Sequence, residues 1–298
     1  MILRIDSICI DQTPEAIEER NVQVALMGEI YKSAARVVVW LGPSNERVEL
    51  ALRQVMDIAM VTRSASQSLA NRRLIQGRLH DFTRSLSESV RSASEDPVSP
   101  LFECSWFYRM WTVQEVTLSA FQRTFVRCGS LEIPWPVLII TLDAMRAVRY
   151  KWGRWEEATK LQKQLTIYMV ARRIPGSKAI MDDNPRNVHN HPLASDVLTG
   201  TREKLTGNEK DKVIALYGLF TEMEIPMPRP DYQLSVEDTY RQATAAAIRF
   251  DKTLYILYHV LSDKRRKTLA SWVPDWAEPG FDCGDGRYGV LRSRFAAF

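Results

Sequence analysis

The stretch that most constrains this fold is Ile2–Gly42, which has the pattern of a strand, a polar turn, an amphipathic helix and a second strand. Thr13-Pro14 is typical of a helix start, because proline in the first turn needs no partner for an N–H group. The run Val37–Leu41 is apolar throughout, which is typical of a strand covered on both faces. The pattern therefore predicts a βαβ unit with a right-handed crossover.

Downstream, Ser105–Ala120 carries aromatic and apolar residues at helical spacing, which predicts one largely buried helix. An alternating strand follows at Arg123–Gly129. Beyond it, residues 151–173 have the pattern of an amphipathic helix, and residues 174–207 that of a long irregular connection. We therefore predict two parts, an α/β domain of residues 1–150 with a parallel sheet flanked by helices, and a mainly α-helical region of residues 151–298. Further helices are predicted at 211–220, 236–250 and 251–261.

The bulk composition excludes several classes of protein. With 40 basic and 36 acidic residues the net charge is only +4, too small to indicate a nucleic-acid-binding protein. The four cysteines are far apart and form no CxxC pair, which argues against a disulfide scaffold and a thiolate zinc site. The sequence has no signal-peptide pattern and no apolar run that could span a bilayer. We therefore expect a reducing, cytoplasmic setting.

Few residues stand out as carriers of chemistry. Asp6 and Asp11 lie at the exit of the first predicted strand, where open α/β sheets bind ligands. The alternative is that Asp6 binds turn amides and Asp11 helps the helix start. Glu115 follows Trp111 by one helical turn, so its carboxylate is expected against ring surface, where it could stabilise a developing positive charge. The alternative for Glu115 is pairing with Arg109 or another nearby cation.

A polar segment offers four conceivable metal ligands, Asp182, Asp183, His189 and His191. Because neither helical nor strand spacing fixes a third ligand there, we predict no metal site and no required cofactor. Physical reasoning from the residues leaves two classes open, an enzyme acting at the strand ends and a signalling module that works by association.

Several blocks of the sequence match the motifs of one family, in the same order. The blocks are Ile5–Gln12, Glu19–Ala34, Val37–Gly42, Trp106–Val116, Asp211–Leu219, Pro230–Tyr240 and Ser271–Trp276. They resemble the "IDAICINQ", "ERxxQVxxMxxIYxxA", "VxVWLG", "WFxRxWxxQEV", "RDKVYALLGL", "xDYxxxVxxVY" and "SWVPDW" motifs of the fungal heterokaryon-incompatibility (HET) domain.

The resemblance implies a role in non-self recognition and programmed cell death when incompatible fungal cells fuse, through self-association and protein partners. It also implies a flavodoxin-like fold similar to the Toll/interleukin receptor (TIR) domain. Some TIR domains cleave NAD⁺ at the nicotinamide–ribose bond with a glutamate on the helix matched here by Glu115. NAD is then a possible substrate, and Asp6, Asp11 and Trp111 are expected to border its site. The alternatives are a non-enzymatic death adaptor and an inactive truncated remnant.

The family pattern begins upstream with a strand ending in an "LSYxWG" motif, which this sequence does not contain. The resemblance therefore identifies Ile2–Gly42 as the second strand, its helix and the third strand, and predicts a sheet without its first strand.

Overall fold

The computed structural model describes residues 9–66, 98–147, 193–260 and 265–278, with side chains described to residue 60 in the first range and to residue 142 in the second. The chain divides into two compact units, one of Tyr31–Pro175 and one of Met1–Ile30 with Gly176–Phe298. The predicted boundary at residue 150 lies outside the described residues, so the division into residues 1–150 and 151–298 stays a prediction.

The described chain has mixed α/β content, as the sequence predicted. Its helices are α1 (Ile17–Ser33), α2 (Glu46–Ser66), α3 (Ser99–Phe102), α4 (Thr112–Leu118), α5 (Trp135–Ala147), α6 (Ala194–Gly200), α7 (Asp211–Ile214), α8 (Tyr217–Glu222) and α9 (Val236–Asp251). Its strands are β1 (Val37–Trp40), β2 (Thr124–Cys128) and β3 (Leu131–Pro134). Short 3-10 helices cover Pro14–Ala16, Ser105–Tyr108, Phe121–Arg123 and Tyr255–Val260.

The three described strands form one sheet in the order β1-β2-β3. β1 and β2 pair in parallel, which confirms the predicted type of pairing, and Val39 lies opposite Val126. The expectation of parallel strands alone is wrong for β3, which pairs with β2 antiparallel and places Ile133 opposite Val126. Gly129 makes the tight turn between β2 and β3 with φ of +54°, and a Cβ there would lie 2.8 Å from the Cα of Ser44, so glycine is required.

The prediction that β1 is covered on both faces is wrong. Val37 and Val39 are buried, whereas the alternate side chains Val38 and Trp40 are 41% and 51% exposed. An unbroken apolar run hides this difference, because successive strand residues point to opposite faces whatever their polarity.

The core of the Tyr31–Pro175 unit lies on the buried face of the sheet. There the strand residues Val39, Val126 and Ile133 belong to the same buried cluster as Leu52 of α2 and Leu138 of α5. Asn45 caps α2, since its side-chain oxygen accepts hydrogen bonds from the N–H groups of the first turn.

The predicted single helix over Ser105–Ala120 is interrupted. A 3-10 helix covers Ser105–Tyr108, Arg109 is extended with φ of −74° and ψ of 140°, and only Thr112–Leu118 is α-helical. The segment contains neither glycine nor proline, so local sequence gives no sign of the break. We attribute it to packing, because Trp106 and Phe107 are both buried.

The other unit differs from prediction in its short elements. α9 confirms the predicted helix at 236–250, and Ser235 caps it by accepting the Asp238 N–H at 3.0 Å. The expected helix at 211–220 is two short helices, α7 and α8, and the expected helix at 251–261 is the 3-10 helix Tyr255–Val260. The expected irregular connection contains α6, whose first two N–H groups, on Ala194 and Ser195, bind the distant carboxylate of Asp251.

Paired substitutions on α5 test the core. We expect Leu138→Ala to lower the free energy of unfolding by about 2–5 kcal/mol, because Leu138 is fully buried. Ile140→Ala, two residues along, should change it by about 0.5 kcal/mol or less, because Ile140 is 51% exposed. Urea denaturation measures both, and equal losses would contradict this placement of α5.

Candidate functional site

The carboxylate of Glu115 is bound to a buried tryptophan. Glu115 lies in the first turn of α4, and its Oε2 accepts a hydrogen bond of 3.1 Å from Nε1 of Trp106. Trp106 sits in the preceding 3-10 helix and packs edge-on against Phe107 and Trp135, with ring centroids 5.1 and 5.8 Å away. The bond therefore ties α4 to the 3-10 helix across the extended residue Arg109.

This arrangement fits the expectation that Glu115 lies against ring surface, although the indole that binds it is that of Trp106. Trp111 is the N-cap residue of α4, with φ of −62° and ψ of −28°, and is half-buried like Glu115. A carboxylate has about four acceptor positions, and the Trp106 N–H takes one of them. The geometry is compatible with a structural role and with the stabilisation of positive charge on a ligand.

Asp11 lies at the start of the first helix, as one of its two sequence interpretations expects. It is exposed, and its Oδ1 accepts the N–H of Thr13 at 2.8 Å. That backbone hydrogen bond lowers the pKa of the Asp11 carboxyl. Asp11 belongs to the unit that contains Met1–Ile30, whereas Glu115 belongs to the other unit. Asp6 lies outside the described residues.

Two polar networks bring together residues of the later motif blocks. In the first, the hydroxyl of Tyr232 donates to Oδ1 of Asp211 at 2.5 Å, and Thr206 lies 3.2 Å from the other carboxylate oxygen. Burial, followed by the charge of Asp211, raises the pKa of Tyr232. Lys210 donates to the carbonyl of Tyr232 at 2.8 Å. The network joins α7 to the segment before α9.

The second network is built around Arg266. Its Nη1 and Nη2 bind both oxygens of Glu209 at 2.8 Å, and its Nε binds Oδ2 of the buried Asp275 at 2.9 Å. These hydrogen bonds and charges raise the pKa of Arg266 further above its ordinary value, with the Glu209 bonds contributing most. A buried carboxylate is tolerated where a cation and hydrogen bonds compensate it, and Asp275 has both.

Arg202 completes the second network beneath the Ser271–Trp276 block. It is buried, its Nη2 donates to the carbonyl of Asp275 at 2.7 Å, and its guanidinium lies 5.5 Å from the ring centre of Trp276. The neighbouring His259 is also buried, and burial together with the charge of Arg202 lowers its pKa to about 4.

No role could be assigned to these network residues from the sequence alone. Asp211, Tyr232 and Asp275 all lie in the motif blocks, so the matching blocks were the available signal. The pairing itself could not be predicted, because the partners come from segments far apart in the chain.

Within the ranges given above, the described side chains offer no group of three or more His, Cys, Asp and Glu residues able to hold a metal ion. The segment with Asp182, Asp183, His189 and His191 lies outside those ranges. None of the described helices is long and apolar enough to cross a membrane.

Comparison with known proteins confirms the resemblance. Residues 1–115 match the family model described as "Heterokaryon incompatibility protein (HET)". The chain is also similar to "Heterokaryon incompatibility protein 6, OR allele" of Neurospora crassa, with 28% identity over 306 aligned positions. That alignment covers 92% of this chain and 44% of the relative, so the chain spans less than half the length of the curated relative it matches. No solved structure matches the chain.

A double-mutant cycle tests the bond between Glu115 and Trp106. We expect Glu115→Ala and Trp106→Phe to lower the free energy of unfolding less than additively when combined, with a coupling of about 0.5–1.5 kcal/mol, because each removes the same hydrogen bond. Glu115→Gln should cost less than Glu115→Ala, since its amide oxygen still accepts. Strict additivity would show that the two side chains do not interact.

His259 should make the stability pH-dependent. Its pKa in the folded chain is about 4, against an ordinary value of 6.5, so below pH 6.5 the unfolded chain binds a proton that the folded chain does not. The contribution is fully present above pH 6.5 and is lost as pH falls towards 4, amounting to about 3 kcal/mol.

Chemical denaturation of the wild type and of His259→Phe, between pH 7 and pH 4, measures this contribution. The variant should lose less stability over that interval than the wild type, since its ring does not titrate. Identical losses would contradict a buried neutral His259.

Proposed function

We propose that this chain, whose residues 1–115 match the heterokaryon incompatibility family, acts as a signalling module in fungal non-self recognition and programmed cell death. The observation that carries the proposal is the family match, together with motif blocks that continue to Trp276. Similarity over most of the chain to a Neurospora crassa protein named for heterokaryon incompatibility supports it.

We propose further that the module works by association with copies of itself or with protein partners, in a cytoplasmic setting. The networks around Asp211 and Arg266 use motif residues to fix the backbone, which is a role that requires no chemical reaction. A TIR-like, flavodoxin-like arrangement is supported by the parallel β1–β2 pair, whose strands are separated in sequence by helices. The antiparallel β3 departs from a purely parallel sheet of that kind.

Hydrolysis of NAD⁺ at Glu115 is a second candidate function, favoured by one observation. The Glu115 carboxylate is positioned by Trp106 on a short helix next to Trp111, and carboxylate oxygens are acceptors of the kind that bind ribose hydroxyls. An ionised carboxylate there would stabilise the oxocarbenium-like centre as neutral nicotinamide leaves. The purified wild-type chain at high concentration, given NAD⁺, should then release nicotinamide, and Glu115→Gln should not. Equal release from both, or none from either, would refute this candidate.

The signalling role predicts that induced expression of the chain in a filamentous fungus raises the fraction of dead cells. Leu138→Asp should abolish the effect, because an unpaired carboxylate at a fully buried position prevents folding. Ile140→Asp is the matched control, since it places the same charge on an exposed position of the same helix and should still kill. A wild type as harmless as Leu138→Asp, at equal protein levels, would contradict the proposal.

A further inference from the structure

An open depression lies beside the segment that leads into α9. It encloses about 770 Å³ of space continuous with solvent and is lined mainly by Asn21, Pro228, Arg229, Asp231, Gln233 and Gln242. We call it the Arg229 cleft. All of these residues belong to the unit of Met1–Ile30 and Gly176–Phe298.

Hydrogen bonds fix the wall of the Arg229 cleft. Asn21 of α1 accepts the N–H of Tyr232 at 2.9 Å and donates to Oδ1 of Asp231 at 3.4 Å. The same oxygen accepts the N–H of Gln233 at 2.8 Å. The one carboxylate that lines the cleft is therefore already bound to protein donors, and the backbone of the wall is preformed.

Three other lining side chains keep their hydrogen-bonding capacity. Within the described ranges, Arg229 makes no hydrogen bond or ion pair, and the side-chain amides of Gln233 and Gln242 make none either. A guanidinium offers five donors, and each amide offers two donors and an acceptor. These groups share one concave surface with the rings of Pro228 and Pro230.

The charges behind the wall also favour a negative ligand. The guanidinium of Arg20 lies 5.4 Å from the ring centre of Tyr232, and Lys210 binds the carbonyl of the same residue. Arg20 and Lys210 offset carboxylates around this segment such as Asp211 and Asp231, and Arg229 is the cationic side chain that lines the cleft.

From this arrangement we propose that the Arg229 cleft binds an extended acidic peptide segment of a partner protein. Arg229 pairs with a carboxylate of the peptide, since guanidinium and carboxylate match as a two-pronged hydrogen-bonded pair. Gln233 and Gln242 bind peptide groups, because a primary amide can donate to a backbone carbonyl and accept from a backbone N–H. The proposal rests on the signalling role and names the chemistry of its partner.

The shape of the cleft favours a peptide over a small molecule. Small-molecule sites enclose most of the ligand surface and are mainly apolar. The Arg229 cleft is open along one side, and its unused groups are polar. A narrower slot shares Arg229, Leu234 and Gln242 with the cleft and is lined in part by Phe220 and Met227, which places apolar surface beside the polar groups.

Fluorescence anisotropy with three labelled peptides tests the proposal. The first alternates glutamate with leucine, and the other two replace glutamate by glutamine or by lysine. We expect the full chain to bind the glutamate peptide about three- to tenfold more tightly than the glutamine peptide, a preference that weakens at high salt. Arg229→Gln should remove the preference, and Arg229→Glu should transfer it to the lysine peptide.

Two further variants locate the binding. Gln242→Ala should weaken all peptides alike, since its amide binds backbone groups. Arg249→Gln on the same helix is the matched control, because Arg249 is exposed and does not line the cleft, and it should change nothing. The proposal would be overturned by equal binding of the three peptides, by no binding at all, or by a preference that is unchanged in Arg229→Gln. A small anionic ligand, AMP, is the comparison for a small-molecule site, and tighter binding of AMP than of the glutamate peptide would also overturn the proposal.

The results of the peptide assay and of the cell-death assay are independent of each other. A peptide preference that depends on Arg229, in a chain that does not kill, would refute the signalling role and leave the cleft. Cell death without any peptide preference would refute the cleft alone.

Discussion

The parallel pairing of β1 with β2 is the constraint on which the Tyr31–Pro175 unit depends. A parallel pair cannot be closed by a hairpin, so the chain between the strands must return to the start of the sheet through a long connection. α2, α3 and α4 lie in that connection, and buried residues from α2 and α3 join the cluster on the inner face of the sheet. The extended residue Arg109 and the bond between Glu115 and Trp106 lie in its last part, just before β2. The position of Glu115 therefore depends on the path that the chain takes between β1 and β2.

The other unit depends on its buried charged side chains and on the partners that compensate them. Arg202, Asp211 and Asp275 are nearly inaccessible to solvent, and each would be costly to bury without partners. The partners come from different segments, such as Tyr232 for Asp211 and the carbonyls of Asp275 and Glu278 for Arg202. A short helix such as α7 has little stability of its own, so we infer that these polar bonds hold α7 in place. The wall of the Arg229 cleft is likewise held by a bond between distant segments, from the N–H of Tyr232 to Asn21.

Sequence reasoning succeeded where a single local rule decides the structure. It predicted the strand at β2 and helix α9, because the periodicity that indicates each element lies within its own segment. It missed β3, the break at Arg109 and α6, and each of these depends on distant partners. β3 needs β2 beside it, and α6 starts where Asp251 accepts its N–H groups. The spacing of Trp111 and Glu115 predicted an aromatic ring near the Glu115 carboxylate. The indole that binds this carboxylate belongs to Trp106, which lies in a turn that periodicity cannot predict.

The central claim is the proposed signalling role, which requires Glu115 only as the acceptor of the Trp106 N–H. The most direct test is to express Glu115→Gln in fungal cells at the level of the wild type and to score cell death. Glutamine keeps an oxygen that can accept the Trp106 N–H and removes only the charge. We predict that the variant kills as efficiently as the wild type. A variant that is folded and equally abundant but harmless would contradict the claim, because it would show that the carboxylate charge itself is required.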